Sequence, residues 1–568
     1  MTALLQAATP EHFGRAAVAF ERCLLASFFV ALAGCATLPP PGSDYPKKSS
    51  TAFAQPTTTT LGKQFAAQAT RHGGQSGFRV LPRGVDGLVL RTQLVRAAER
   101  AIDIQYYIFA EDDTGKLLLD AILKAADRGV RVRILLDDSN SFGEPSSAEP
   151  APPPLQHSKE ITKALNDHKN IELRLFNPFD YRGNVAALRY LDLALNAPRL
   201  NHRMHNKLMV VDNTVAIVGG RNVSDEYFDA GAPAVRFGDF DIAAVGPIVP
   251  QLSSTFDAYW NSTLSIPQQA LKRWMVDDPA LSEARATLAD ARADGDIAAL
   301  ERRVAKADEL RSLMTGRVQW TWANAQVIVD PPEKAEVPPG ESPHSPIAHA
   351  LLQAMKNARE EVDIVTPYFV PGAHGLSILE ELRQRNVRVR LLTNSLASTD
   401  VPIVHGAYSK YRKPLVESGA EVSEIKPIPG QDPERSGSLG SGSGLHGSGS
   451  GSEAPFALHA KIYIVDNRRV FVGSANFDRR SFHINTELGL MIESPELAKQ
   501  IGTRFDQFAG LANSYQLVLH RDGPLGPRLR WRTEIDGRVV ELDDDPDATP
   551  ERRLQAALSA TVPIDELL

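Results

Sequence analysis

The stretches that decide the fold are HNKLMVVD, residues 205–212, and HAKIYIVD, residues 459–466. Each is rich in Val, Ile, Leu and Met and runs into an Asp-Asn pair, so each reads as a strand entering a hairpin. Side chains on a strand alternate faces, which puts His205 with Lys207 on one side and His459 with Lys461 on one side. A second apolar strand follows each turn, TVAIVGG (214–220) and RVFVGS (469–474). Folding each hairpin about its turn returns Asn222 beside His205 and Asn476 beside His459. The glycines before each Asn (Gly219 and Gly220, then Gly473) let backbone come close to a ligand. Each hairpin end thus gathers an imidazole, an ammonium and an amide: a proton carrier or nucleophile, a cation and a donor. That trio suits a phosphoryl group.

A lone His-x-Lys is ordinarily a strand end emerging into solvent. One His-x-Lys-x4-Asp is expected by chance in about one chain in thirty of this length. Two copies, each followed by a Gly-containing strand and an Asn, are not explained that way. The duplication also extends far beyond the hairpins. VRAAERAIDIQYYIFAEDDTGKLLLDAILKAADRGVRVRILLDD matches LQAMKNAREEVDIVTPYFVPGAHGLSILEELRQRNVRVRLLTNS in pattern, with Asp103 corresponding to Asp363 and Val130 to Val387. Each copy reads helix, strand, helix, strand, hairpin, which predicts an α/β layered domain. One His-Lys unit holds only half of an acid–base pair. Two halves meeting at a pseudo-two-fold axis would complete one site.

HNKLMVVD and HAKIYIVD are similar to the paired HxKxxxxD signatures of the phospholipase D superfamily, and GGRN and GSAN continue the likeness. The resemblance runs from about residue 76 to 515. DEYFD, FGDFDIAAVGP, TPYFVPG and NTELGL resemble the bacterial cardiolipin synthase branch, its C-type members in particular. The resemblance implies two pseudo-symmetric α-β-α sandwich halves with the active site at their interface. It also implies phosphodiester exchange through a phosphohistidine, with no metal and no cofactor. Of His205 and His459, one attacks phosphorus while the other serves as acid and then base; the family favours His205 as the nucleophile. Lys207, Lys461, Asn222, Asn476 and Ser474 would hold the phosphoryl oxygens. Asp212 and Asp466 complete the motifs and, at the turns, read as hairpin anchors. A downstream carboxylate orients each His: Glu487 follows His459 by 28 residues, and in the first half Asp239 aligns, with Asp241 a rival.

Composition fits a folded enzyme. The 568 residues are 43% hydrophobic and 23% charged, enough for more than one core. A net charge of −7 argues against a nucleic-acid partner. Arg22 precedes CLLASFFVALAG, an apolar run too short to span a bilayer, and Leu32-Ala33-Gly34-Cys35 resembles a lipobox. Residues 1–34 therefore read as a lipoprotein signal peptide, with Cys35 the lipidated residue of an envelope-anchored protein and the outer membrane a candidate destination. Ser-, Thr- and Pro-rich residues 35–75 read as a flexible tether. Halves are expected over 76–275 and 318–515, separated by a charged helical insertion at 276–317. A Gly/Ser-rich loop spans 430–455, and a small β-like appendix with a weakly amphipathic tail spans 516–568. The function read from all this is transfer of a phosphatidyl group to a glycerol-type acceptor. Two alternatives stand beside it: hydrolysis by the same site, as a phospholipase D, phosphodiesterase or nuclease, and an anionic-lipid-binding lipoprotein without turnover.

Overall fold

A computed structural model describes residues 39–138, 160–182, 186–231, 233–272, 280–293, 295–338, 341, 343–428, 454–520 and 526–560. Cys35, the signal-peptide region and nearly all of the Gly/Ser loop lie outside the described residues.

In the first half, strands β1 (Ser76–Leu81), β2 (Ala101–Tyr106), β3 (Arg131–Asp137), β4 (Ile171–Phe176), β5 (Leu208–Val211) and β6 (Val215–Gly219) precede β7 (Arg236–Gly238), β8 (Asp241–Val245) and β9 (Ser265–Pro267). The second half runs β10 (Thr321–Val329), β11 (Glu361–Val365), β12 (Arg388–Asn394), β13 (Glu421–Ile425), β14 (Phe456–Leu458), β15 (Ile462–Val465), β16 (Arg469–Gly473), β17 (Leu488–Glu493) and β18 (Ser514–His520); β19 (Arg528–Ile535) and β20 (Arg538–Leu542) follow. The pairings place the first half in the order β9-β4-β3-β2-β5-β6-β8-β1. The second half is β10-β17-β16-β15-β11-β12-β13-β18. Strand for strand this is the same order, mirrored about the antiparallel β1–β10 contact that joins both into one sheet.

The central strands are parallel and buried on both faces, and their apolar runs (β2, AIDIQY; β3, RVRILLD) fit that position. Helix Asp113–Asp127 between them starts where the Asp112 side chain accepts the Gly115 amide at 3.0 Å. It stops at Gly129, whose φ of 96° no β-substituted residue adopts readily. Each sequence-predicted hairpin turns at its Asp-Asn pair with φ near 50°, Asp212 and Asn213 in one, Asp466 and Asn467 in the other. Two consecutive left-handed residues match the twist of the flanking strands. Separate apolar clusters fill the outer face of each half, and a third, shared cluster joins helices Ile248–Asn261 and Pro495–Ala509 beneath the common sheet.

The segments outside the two halves are packed against them. The tether of 35–75 is laid against the first half over its described part. Lys47 Nζ donates to Ser265 O at 3.0 Å, Ala52 N to Asp257 Oδ2 at 2.8 Å, and Leu61 and Phe65 of helix Thr60–Thr70 are buried. The cause is two buried arginines on distant strands: Arg133 donates to Ser50 O at 3.0 Å and Arg174 to Lys48 O at 2.7 Å. The charged helical insertion packs on the first half, with Leu288, Leu300, Val304 and Leu313 entering its core. The appendix at 516–568 continues the sheet through β18–β19–β20, and helix Pro550–Ala560 crosses helix Pro402–Ser409 at Gly406, where a Cβ would lie 1.9 Å from Ser559 Oγ.

Candidate active site

Both histidines arrive on a segment that crosses into the other half. His205 N donates to Thr486 O at 2.9 Å, and Met204 bridges Thr486 in parallel. Likewise β14 pairs in parallel with β7, and His459 N donates to Gly238 O at 2.7 Å. Thr486 and Gly238 immediately precede Glu487 and Asp239. The orienting carboxylates are therefore exchanged between halves. Glu487 Oε2 and Oε1 lie 2.9 and 3.1 Å from His205 Nδ1, and Asp239 Oδ2 lies 2.6 Å from His459 Nδ1. The expectation that each carboxylate serves the His of its own half is corrected.

The register decides between Asp239 and Asp241. Gly219 pairs with Asp241 and Gly473 with Gly489, so two residues earlier Asp239 is the counterpart of Glu487. Asp241 instead sits in a buried ion-pair group, 2.9 Å from Arg91 and 3.3 Å from Arg221. The neighbouring pair Gly220 and Ser474 differs for a reason of length. A Cβ at Gly220 would lie 2.2 Å from Asp239 Oδ1, whereas Ser474 fits beside the longer Glu487 and donates its hydroxyl to that carboxylate. Ser474, expected to contact phosphate, is a support for Glu487.

A carboxylate on Nδ1 fixes the tautomer: Nδ1–H donates, and Nε2 keeps its lone pair for chemistry. His459 Nδ1 also lies 2.8 Å from Lys461 Nζ, but one nitrogen cannot donate to Asp239 and accept from Lys461 together. The shorter, charge-assisted Asp239 contact governs. Lys207 Nζ donates to His205 O at 2.8 Å and Lys461 Nζ to His459 O, which places both ammonium groups within the cluster. The imidazoles are nearly sealed, at 9% exposure for His205 and 6% for His459.

Burial, then Lys207 and Lys461, hold His205 well below the ordinary imidazole range; burial, then Lys461 and Lys207, do the same to His459. Burial also pulls Lys207 well down, partly offset by Glu487, and brings Lys461 to about 8. Glu487 is pushed by burial to about 7, with Lys207 opposing, and burial raises Asp239. Each His–carboxylate pair exchanges protons as one unit.

Asp212 and Asp466 lie at the anchors. Asp212 accepts the amides of Glu99, Arg100 and Ala101 at 2.8–3.0 Å. Asp466 accepts those of Arg359, Glu360 and Glu361 at 2.8–3.3 Å. Each ties its hairpin to the start of the central strand beside it. Asn222 is engaged rather than free: its Oδ1 accepts Ile108 N at 3.2 Å and its Nδ2 donates to Tyr227 Oη at 3.1 Å. Tyr227 Oη in turn lies 3.4 Å from His459 Nε2, so Asn222 reports to the opposite half's histidine. Asn476 Oδ1 is buried and has no hydrogen-bond partner among the described residues.

Sequence reasoning missed Tyr227, although DEYFD was in view, and it missed Asp400. Asn394 on β12 grips Leu458, the residue before His459, through bonds of 2.8 and 2.9 Å, and the loop it starts ends at Asp400, which accepts Tyr368 Oη at 2.6 Å. Asp400 raises the Lys461 pKa from there. No sequence signal marks it. Among the described residues, one carboxylate–histidine group has donor spacing suited to a cation, His405, Glu424 and Asp545. Arg412 already lies among them, 2.6 Å from His405 Nε2 and from Asp545 Oδ1 and 2.7 Å from Glu424 Oε1.

A family model described as "Cardiolipin synthase, PLD-like domain" matches residues 91–236 and 351–509, one HxK motif in each. The chain is 36% identical to cardiolipin synthase C of Escherichia coli K12 over 501 residues, spanning 88% of this chain and 98% of that protein. It is 26% identical to cardiolipin synthase B of the same strain over 401 residues, 70% of this chain and 71% of that one. Its fold is similar to that of phosphatidylserine synthase from Haemophilus influenzae Rd KW20, with a TM-score of 0.50, 14% identity, and coverage of 80% and 92% of the two chains. With two matched domains, a duplicated sheet and a cardiolipin synthase relative aligned almost end to end, the chain belongs to the phospholipase D superfamily, in its cardiolipin synthase-like family.

Proposed function

We propose that the protein is a phosphatidyltransferase that moves a phosphatidyl group from a phospholipid to a glycerol-type alcohol, as in cardiolipin synthesis. The observation that carries this is the crossed pair of His–carboxylate units, each with Nδ1 engaged. His205 Nε2 attacks phosphorus, forming a P–N bond as the P–O bond to the leaving alcohol breaks, and His459 gives its Nε2 proton to that alkoxide. The acceptor hydroxyl then returns a proton to His459 while its oxygen displaces His205. Tyr227 favours this assignment, because a hydroxyl at 3.4 Å from His459 Nε2 suits a proton carrier better than a nucleophile.

Burial and the two lysines lower the proton affinity of both imidazoles, yet His459 must begin protonated. The phosphodiester charge, arriving beside Lys207 and Lys461, offsets the cationic field that depresses it, so proton uptake accompanies binding. The lysines then carry the charge that grows on the phosphoryl oxygens. Water in place of the alcohol gives hydrolysis at the same site.

The relative named cardiolipin synthase C supports cardiolipin as the product class. With phosphatidylglycerol as acceptor, a labelled phospholipid donor should yield cardiolipin and the donor's free alcohol, with a phosphohistidine trapped that is acid-labile and base-stable. Release of phosphatidate alone at saturating acceptor would refute transfer. Strong chelator inhibition, reversed by a divalent ion, would refute the histidine route.

A further inference from the structure

Helix Ala186–Leu195 is built inside out. Its two charged residues face the protein. Arg189 donates to Asp138 O at 3.1 Å and lies 3.9 Å from the centre of the Phe179 ring, and Asp192 accepts Tyr181 N at 2.8 Å. Its large apolar residues face out, with Tyr190 and Leu195 each 69% exposed and Leu191 51% exposed, flanked by exposed Leu188 and Leu193. A contiguous outward apolar face of this kind is costly in water and marks a surface meant to be covered. The helix is two links from the chemistry. Its anchor Asp138 follows Asp137, which accepts the Met204 amide at 2.8 Å, and Met204 precedes His205.

We infer that this helix enters the interfacial layer of a phospholipid bilayer and seats the His205–His459 site at headgroup depth. The inference rests on the phospholipid reading of the site. Three observations select lipid over a protein partner. The helix exposes no charged side chain, so nothing ionic is desolvated on insertion, whereas a protein interface ordinarily keeps a polar rim. The helix that bears the apolar face is tied through Arg189, Asp138 and Asp137 to Met204, the residue before His205, so the face lies on the element that supports the phospholipid site. The chain carries a net charge of −7, so attachment through apolar burial rather than attraction to anionic headgroups fits its surface.

The test uses full-length protein carrying Cys35→Ser, so that no acyl anchor contributes, with and without Leu191→Glu plus Leu195→Glu. Vesicles of phosphatidylcholine, alone or with phosphatidylglycerol, should bind the first protein about equally and without loss at high salt. The double variant should lose binding by on the order of tenfold or more. Its turnover of vesicle phosphatidylglycerol should fall in parallel, while turnover of a short-chain monomeric analogue stays unchanged. A Leu191→Trp variant gives a second reading, with its added fluorescence quenched by brominated phosphatidylcholine on binding. Equal vesicle binding by both proteins, no quenching at residue 191, or binding that vanishes with salt would overturn the inference. So would a self-associated form that the double variant converts to monomer, with vesicle binding unaffected. Inactivity of every form toward all phospholipids, with quenching intact, would count against the transferase reading alone.

Discussion

Gly220→Ala tests the crossed site at its tightest point. The new Cβ would lie 2.2 Å from Asp239 Oδ1 and 2.8 Å from Oδ2, both far inside contact distance. The clashing atoms end a side chain rather than belong to backbone, so Asp239 swings away and the fold survives. Restoring ordinary contact moves the carboxylate by about 1 Å, and a misplacement of that size costs about a hundredfold in rate. Loss of the 2.6 Å bond to His459 Nδ1 is consistent in size, since a hydrogen bond to a charged group contributes about 1.5–3 kcal/mol and 1.4 kcal/mol is tenfold.

The expected result is kcat for phosphatidyl transfer down by roughly a hundredfold with the melting transition little changed. In imidazole NMR the Nδ1–H signal of His459 should move and that of His205 should not, although residue 220 belongs to the first half. Adding Ser at 220 together with Asp239→Glu copies the Ser474–Glu487 arrangement and should restore most of the rate. A normal rate in Gly220→Ala, or a shift at His205 instead, would refute the exchange of carboxylates.

The remaining predictions concern titration and support. Because His459 takes up a proton on binding and Lys461 must keep its charge, kcat/KM should fall as pH rises, most steeply through about 8 where Lys461 loses its proton; a profile rising across pH 7–8 would contradict both assignments. Glu487→Gln should shift the imidazole NMR signal of His205 alone. Asp212→Asn should cost about 1–3 kcal/mol in denaturant unfolding while the folded fraction stays active, because Asp212 accepts three backbone amides at the hairpin turn, at the far end of the strand from His205. Lys334→Met should cost about 3–5 kcal/mol, since Asp330, paired with Lys334 at 2.7 Å and fully buried, would be left uncompensated; unchanged stability would show the pair is dispensable.

The hairpins, the repeat and the gathering of two His-Lys pairs were legible because a two-residue spacing on a strand fixes a shared face, and a repeat makes chance an inadequate explanation. The crossing was not. Asp239 follows His205 by 34 residues and Glu487 follows His459 by 28, and such spacings carry no information about which half a side chain reaches into. That is decided by two short parallel contacts, β7 with β14 and Met204 with Thr486, too brief to leave a pattern. The docked 39–75 segment misled for a related reason. Its Pro, Ser and Thr content is that of a linker, and the arginines that hold it lie 83 and 126 residues away.

That docking changes how an anchor at Cys35 would act. A flexible arm of forty residues would let the site roam above a membrane. With the chain laid down from residue 39, three residues separate Cys35 from the folded body, a reach of at most about 14 Å over four Cα–Cα steps. The point of entry is also informative. Gly42 packs against Ile266 and Ala270, and Ile266 pairs with Leu175 at the end of β4. Two residues on, Asn177 grips the carbonyls of Arg199 and His202, just past helix Ala186–Leu195. A lipid at Cys35 would thus pull on the same flank of the sheet that presents the outward apolar helix. Two weak attachments on one flank fix an orientation that neither fixes alone. They would hold the His205–His459 site at the lipid surface instead of merely near it.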